Sequence, residues 1–255
     1  MSNWQSKLID FCVRYNIPVD YITEVLDDPK VIPMIRGKAF EFSVKQLISN
    51  ILPSHTWEVS NTYINAQTNI HDVDVKIFHK GTEKIYSVEC KLSGKGSYKR
   101  KGDSDLLRIK CMRSRTLGEA AALQRARTTG FSFDSLMIHN DQYIPSDFDL
   151  VVTSIGNAFY ETDSEGLFYF DPCENGIDFL KKLNAYDQEK AFNKMFVARS
   201  VDLVANTRNA ITCSRQKCNN PNCGFIPNYP YMHFDTITNR VIHPWYPIEE
   251  IEALL

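Results

Sequence analysis

Ile70-His71-Asp72-Val73-Asp74-Val75-Lys76-Ile77, followed by Tyr86-Ser87-Val88-Glu89-Cys90-Lys91-Leu92, is the stretch whose reading decides the fold. Both segments alternate apolar and polar residues with a period of two, as strands with one buried face do. Gly81-Thr82 between them marks a turn. In the first strand Val73, Val75 and Ile77 share one face and leave Asp72 and Asp74 on the other. In the second, Val88, Cys90 and Leu92 share a face and leave Glu89 and Lys91 opposite. If the strands pair, acidic residues and a lysine converge at one end of a small sheet.

Working outward toward the N-terminus, Phe40, Val44, Leu47, Ile48 and Ile51 recur at helical spacing and predict an amphipathic helix. Glu41 flanks its apolar stripe and can lean over the sheet edge. Earlier, Ser2 can cap a first helix whose stripe of Trp4, Leu8, Phe11, Cys12 and Tyr15 is expected to face a core. Val19 to Leu26 reads as a second, short helix, and Trp57 to Val59 with Thr62 to Ile64 as the first strand and its continuation.

Toward the C-terminus, Leu107, Ile109 and Cys111 alternate with polar residues in an extended segment. Thr116 and Glu119 match a capping box opening a helix to about Thr128. His139 to Tyr143 is a polar loop. Phe148 to Ile155 reads as a strand buried on both faces. Residues around 156–160 and 167–170 suggest a hairpin, Ile177 to Leu183 a helix, and Gln188 to Asn206 a longer helix. Residues 232–235 and 240–243 suggest a final hairpin across Thr238-Asn239.

The net charge of −2 hides an uneven distribution. Between Lys91 and Arg127, eleven Lys or Arg face three acidic residues, a local excess of eight positive charges that leaves the rest of the chain at −10. This block begins at the lysine of the acidic strands, so a polyanion lying there meets positive potential. Its first part, Ser93 to Gly102, is rich in Gly, Ser and Lys and suits close approach to phosphates.

Carboxylates on adjacent strands provide the hard oxygen ligands that Mg²⁺ takes, and a bound Mg²⁺ can activate water and neutralise a phosphodiester. Lys91 reaches the same place and can orient or help deprotonate the water, or stabilise phosphate charge. The order of a helix carrying Glu41, a strand Asp74, a strand Glu89-Cys90-Lys91 and a basic loop and helix resembles the PD-(D/E)xK nuclease superfamily. The resemblance spans roughly residues 36–155. It implies an α/β, restriction-endonuclease-like core in which a central mixed β-sheet is flanked by α-helices. It also implies Asp74 and Glu89 as metal ligands, Lys91 as the catalytic lysine and Glu41 as an accessory ligand. Val73 stands where the family usually has proline, which leaves Asp72 as a rival to Asp74.

With no helicase or ATP-binding motif, the chain is similar to a stand-alone type II restriction endonuclease. That likeness implies sequence-specific cleavage of double-stranded DNA, a two-fold homodimer, and a cognate DNA methyltransferase in the host rather than as a bound subunit. Lys95, Lys99, Arg100 and Lys101 of the loop, with Arg113 and Arg115 before the helix, are expected at the DNA. Arg113, Arg115, Asn140 and Gln142 have the chemistry to read base edges. Two other functions compete: a structure-selective repair or recombination nuclease, and a non-catalytic DNA-binding module with a zinc-stabilised tail.

The tail changes character. Residues 1–209 are expected to form the nuclease domain with its N-terminal helices, and 210–255 a small, irregular Cys/Pro-rich C-terminal subdomain. Cys213, Cys218 and Cys223 fall at C-x₄-C-x₄-C, without the close pair usual in zinc sites. Free thiols are the reading that this spacing favours. A structural Zn²⁺ held by the three cysteines with His233 or His243 is the alternative. Seven cysteines, a start (Met1 to Lys7) without the basic head and apolar core of a signal peptide, and no membrane-length apolar run lead to the expectation of a cytoplasmic, non-membrane protein.

Overall fold

The structure is a computed structural model that describes residues 3–61 and 73–255. Helices α1 (Asn3–Arg14), α2 (Ile22–Asp27) and α3 (Ile32–Ile51) come first, followed by strands β1 (Trp57–Ser60), β2 (Val75–His79) and β3 (Ile85–Cys90). Strands β4 (Lys99–Lys101) and β5 (Ser104–Arg108), helices α4 (Glu119–Thr129) and α5 (Phe133–Ile138), and strand β6 (Leu150–Ser154) make up the middle. Strands β7 (Tyr160–Thr162) and β8 (Phe168–Phe170), helices α6 (Glu174–Lys182) and α7 (Gln188–Asn193), and strands β9 (Met195–Arg199), β10 (Tyr231–Asp235) and β11 (Tyr246–Pro247) complete it.

The architecture is mixed α/β. Its central sheet has six strands in the order β1-β2-β3-β6-β9-β11. Only β3 and β6 run parallel; the other neighbours are antiparallel. The register pairs Val75 with Val88 and Ile77 with Tyr86, so the β2–β3 hairpin forms in the phase its alternation requires. One face of the sheet presents Val75, Ile77, Val88, Leu150, Val152 and Val197 to Phe40, Val44 and Ile48 of α3. The other presents Val151, Phe196 and Ala198 to a second core with Phe179 and Leu180 of α6 and with Leu107, Met232 and Phe234. Those last three come from a three-stranded sheet ordered β10-β5-β4. Strands β7 and β8 pair as a hairpin, but its first strand starts at Tyr160, because residues 156–159, expected in that strand, form a 3-10 turn.

Several expectations change. Of the α1 stripe only Cys12 is buried, whereas Trp4 and Tyr15 are 64% and 59% exposed. The helix carries more apolar surface than the described residues cover. Residues 188–206 do not continue as one helix: α7 ends at Asn193 and β9 follows. Met195 and Val197 point to one core, Phe196 and Ala198 to the other. A strand buried on both faces shows no polar alternation, and its apolar residues mimicked a helical stripe.

The capping box at Thr116 is not used. Gly118 is the N-cap of α4, and the Leu117 N–H is already committed to the Asn140 carbonyl at 2.7 Å. The tail is no separate appendix either. Strand β10 pairs with β5, β11 pairs with β9 in the central sheet, and Trp245 is buried in the core.

Among the described residues no helix is long and apolar enough to cross a membrane. Gly156 marks a close approach between elements, because a Cβ there would lie 2.7 Å from the Phe192 backbone nitrogen.

Candidate functional site

Asp74 stands one residue before β2, and the antiparallel register sets it beside the end of β3. Its Oδ2 accepts the Cys90 N–H at 2.8 Å. Glu89, one residue earlier on β3, is 8% exposed. Glu89 Oε1 receives Lys91 Nζ at 2.6 Å and the Tyr143 hydroxyl at 2.8 Å. Glu41 approaches from α3, lines the same cavity and pairs with Lys38 one turn earlier. The structure thus brings together Asp74, Glu89, Lys91 and Glu41. Asp72 lies outside the described residues. Tyr143 is a member of the cluster that sequence reading missed; an aromatic residue ending a polar loop carries no signal of such a contact.

The electrostatics follow from burial. Asp74 loses hydration and faces Glu89, and its carboxyl is pushed up to about 8 despite the Cys90 N–H. For Lys91 burial opposes the charged form, but the Glu89 carboxylate and Tyr143 outweigh it and hold the ammonium above its ordinary value. Lys91 is therefore held as a cation here, suited to stabilising negative charge rather than to taking a proton. Burial likewise raises the Tyr143 hydroxyl, with Glu89 next in effect, so it stays a hydrogen-bond donor.

These groups open into a cavity of about 950 Å³. Its walls carry these carboxylates together with Arg36, Lys95, Lys110, Arg113 and Arg115. Arg36 stacks over the Tyr160 ring at 4.0 Å. Lys110 and Arg115 are exposed, and no carboxylate pairs with either among the described residues. Lys95 reaches the Thr162 hydroxyl and the Phe168 ring.

Of the residues expected at the DNA, Lys95, Arg113 and Arg115 line this cavity. Lys99 and Lys101 are exposed on β4, outside its wall. Arg100 is committed elsewhere, paired with buried Asp105 at 2.8 Å and with Asp178 at 3.1 Å. Gln142 is no base reader: it is 2% exposed, and its amide nitrogen donates to Ser214 Oγ at 3.1 Å and the Ile226 carbonyl at 3.0 Å. Asn140 is half-buried and gives its carbonyl to Leu117. Arg113 contacts buried Asp147, which also binds Arg125 at 2.6 Å.

A second cluster lies near the C-terminus. Cys213, Cys218, Cys223 and His139 place one ligand atom each within 4.8 Å of one another, an arrangement that could hold a metal ion. The histidine is not one of those expected. His233 sits exposed on β10, opposite Leu106 of β5, and His243 lies in the segment leading to β11. Sequence reading missed His139 because it lies 74 residues before Cys213. All three thiols are free.

Family models, curated proteins and solved structures were all searched, and none matches this chain. The site must therefore be read from its own chemistry.

Proposed function

We propose that this chain is a Mg²⁺-dependent endonuclease of double-stranded DNA, built on a PD-(D/E)xK-like core and acting as a type II restriction enzyme. The observation that carries the proposal is the convergence of Asp74, Glu89, Glu41 and Lys91 in one cavity that is also lined by cations. The donor set suits the metal: carboxylates from α3, the start of β2 and β3 offer hard oxygens, and the mutual repulsion of Asp74 and Glu89 is of the kind a divalent cation relieves. When bound by Asp74 and Glu89, with Glu41 accessory, Mg²⁺ would supply an activated water and neutralise the scissile phosphate.

The chain's own residues have definable parts. Tyr143 and Lys91 fix the Glu89 carboxylate in one orientation through bonds of 2.8 and 2.6 Å. Lys91, held as a cation, can also stabilise charge developing on the phosphate. Lys95, Lys110 and Arg115, all exposed, can hold the flanking phosphodiesters, with the half-buried Arg113 beside them. The cysteines of the tail do not line the cavity, so their part in this reading is structural. Cleavage of both strands of a palindromic site calls for a second copy. The exposed apolar residues of α1, Trp4 and Phe11 among them, offer surface for it, which light scattering on the purified protein would test.

The deciding experiment is incubation of the full chain with long duplex DNA and Mg²⁺. Discrete fragments are expected, and Asp74→Ala, Glu89→Ala and Lys91→Ala should each abolish cleavage while DNA binding persists. Intact duplex across varied sequences and both Mg²⁺ and Mn²⁺, from folded protein, would refute the nuclease. Preference for branched or mismatched duplexes would redirect it to a structure-selective repair or recombination role. Metal-independent binding without cutting would leave a DNA-binding module.

A further inference from the structure

We infer that His139, Cys213, Cys218 and Cys223 form a tetrahedral Zn²⁺ site that staples the C-terminal segment to the loop behind the acidic cavity. The inference stands apart from the nuclease proposal. Three thiolates and one imidazole are a common donor set for structural zinc. With Zn–S bonds of about 2.3 Å, a tetrahedron has edges of about 3.8 Å. The four donor atoms already lie within 4.8 Å of one another, so small side-chain rotations close the shell.

The surroundings are those of a prepared metal site. His139 Nδ1 lies 2.7 Å from the Ser135 carbonyl, which can only accept. Nδ1 therefore carries the proton, and the lone pair of Nε2 faces Cys213 Sγ at 3.5 Å. Fixing a ligand's tautomer through its other ring nitrogen is what the groups around metal-binding histidines do. The ring is also held flat against Phe225, with centroids 4.0 Å apart and planes 8° from parallel. The Arg215 N–H points at Cys213 Sγ at 3.4 Å, a donor placed to stabilise a thiolate. Binding would release the three thiol protons to solvent, with no redox change.

The spacing C-x₄-C-x₄-C lacks a fourth ligand locally, and the fold supplies it from the end of α5. The staple has a structural consequence. From His139 the chain runs through Gln142, buried against Ser214 and Ile226, to Tyr143 at Glu89. The metal would thus pin both the tail and the loop that ends in Tyr143.

The test is elemental analysis of the full chain, reconstituted with Zn²⁺ under reducing conditions and desalted. Stoichiometric zinc is expected, with a Co²⁺-substituted form showing the intense visible bands of tetrahedral thiolate coordination. Cys213→Ser, Cys218→Ser, Cys223→Ser and His139→Ala should each lose most of the metal, while His233→Ala, His243→Ala and Asp74→Asn keep it. Should the ligand variants fail to fold, the wild type decides through thiol modification. Zn²⁺ should slow alkylation of these three cysteines at least tenfold, and amide exchange should rise together at residues 139–143 and 213–226 when the metal is chelated. Wild-type protein that retains no zinc and shows no thiol protection overturns the site. So does a disulfide among these cysteines in freshly purified protein, or metal lost in His233→Ala and kept in His139→Ala. Absence of DNA cleavage by zinc-loaded wild-type protein would count against the nuclease alone.

Discussion

Replacing Asp74 by asparagine should make the metal-free protein more stable, by an amount that grows with pH. The side chain keeps its shape, and its amide oxygen can still accept the Cys90 N–H that Asp74 binds at 2.8 Å. What disappears is the cost of ionising a carboxyl buried beside Glu89. That cost raises the group from its ordinary 3.8 to about 8 in the folded state. The native state then keeps a proton that the unfolded chain releases, so wild-type stability falls as pH rises from 3.8 toward about 8 and levels off above it. Each pH unit in that window costs the wild-type fold about 1.4 kcal/mol, with a ceiling of about 6 kcal/mol across the whole of it.

Urea unfolding in EDTA at several pH values between about 5 and 8, followed by tryptophan fluorescence and circular dichroism, measures the difference. The stability of Asp74→Asn relative to wild type should climb steadily with pH. Parallel profiles for the two proteins would refute the electrostatic account of the cavity, as would a variant less stable throughout. Added Mg²⁺ should then stabilise the wild type increasingly with pH, because the cation competes with the proton for the carboxylate, and should leave Asp74→Asn unmoved.

Other substitutions test the supports of the site. Tyr143→Phe removes the hydroxyl that donates to Glu89 at 2.8 Å; it should cost about 1.5–3 kcal/mol in urea unfolding, as loss of a hydrogen bond to a charged group does, and lower cleavage while DNA binding stays unchanged. Full cleavage in that variant would show that Glu89 is oriented without it. Asp147→Ala removes the buried carboxylate that Arg113 and Arg125 share and should cost about 3–5 kcal/mol by chemical denaturation, part of it recovered in a cycle with Arg125→Ala. Gly156→Ala drives a Cβ against the Phe192 backbone nitrogen and should cost about 1–3 kcal/mol, whereas Gly37→Ala meets no atom within 4 Å inside α3 and should gain about 1 kcal/mol. Calorimetry on that glycine pair checks both signs.

Legibility in the sequence followed the strength of the local signal. The β2–β3 hairpin and α3 were readable because each has one buried and one polar face, and their periodicities agree with their final packing. The same phase argument brought Asp74, Glu89 and Lys91 together, and the order of elements added Glu41. Strand β9 was misread because burial on both faces erases the alternation that identifies a strand. His139 and Tyr143 were invisible for another reason: their partners are 74 and 54 residues away, and only the folded chain makes them neighbours. Arg100 and Gln142 were misassigned because residue type reports what a side chain can bind, while Asp105, Ser214 and the Ile226 carbonyl decide what it does bind.

The segment 139–143 changes its meaning most. As sequence it is an exposed polar loop with the chemistry to read bases. In the fold it is a girder between two clusters. His139 stands with the three cysteines, Asn140 and Asp141 give their carbonyls to Leu117 and Arg113, and Tyr143 ends on Glu89. The cationic wall at Arg113 to Arg115 therefore hangs from the same loop that orients a carboxylate of the site. A loop so heavily committed cannot also reorganise around bases, so under the nuclease proposal the expected DNA contacts are Lys95, Lys110 and Arg115 on the cavity wall. Charge removal at exposed Lys110 and Arg115 should weaken DNA binding and flatten its salt dependence without altering stability, since neither pairs with a carboxylate among the described residues. A loss of stability on removing them would mean that the wall, like the loop behind it, is scaffold rather than contact surface.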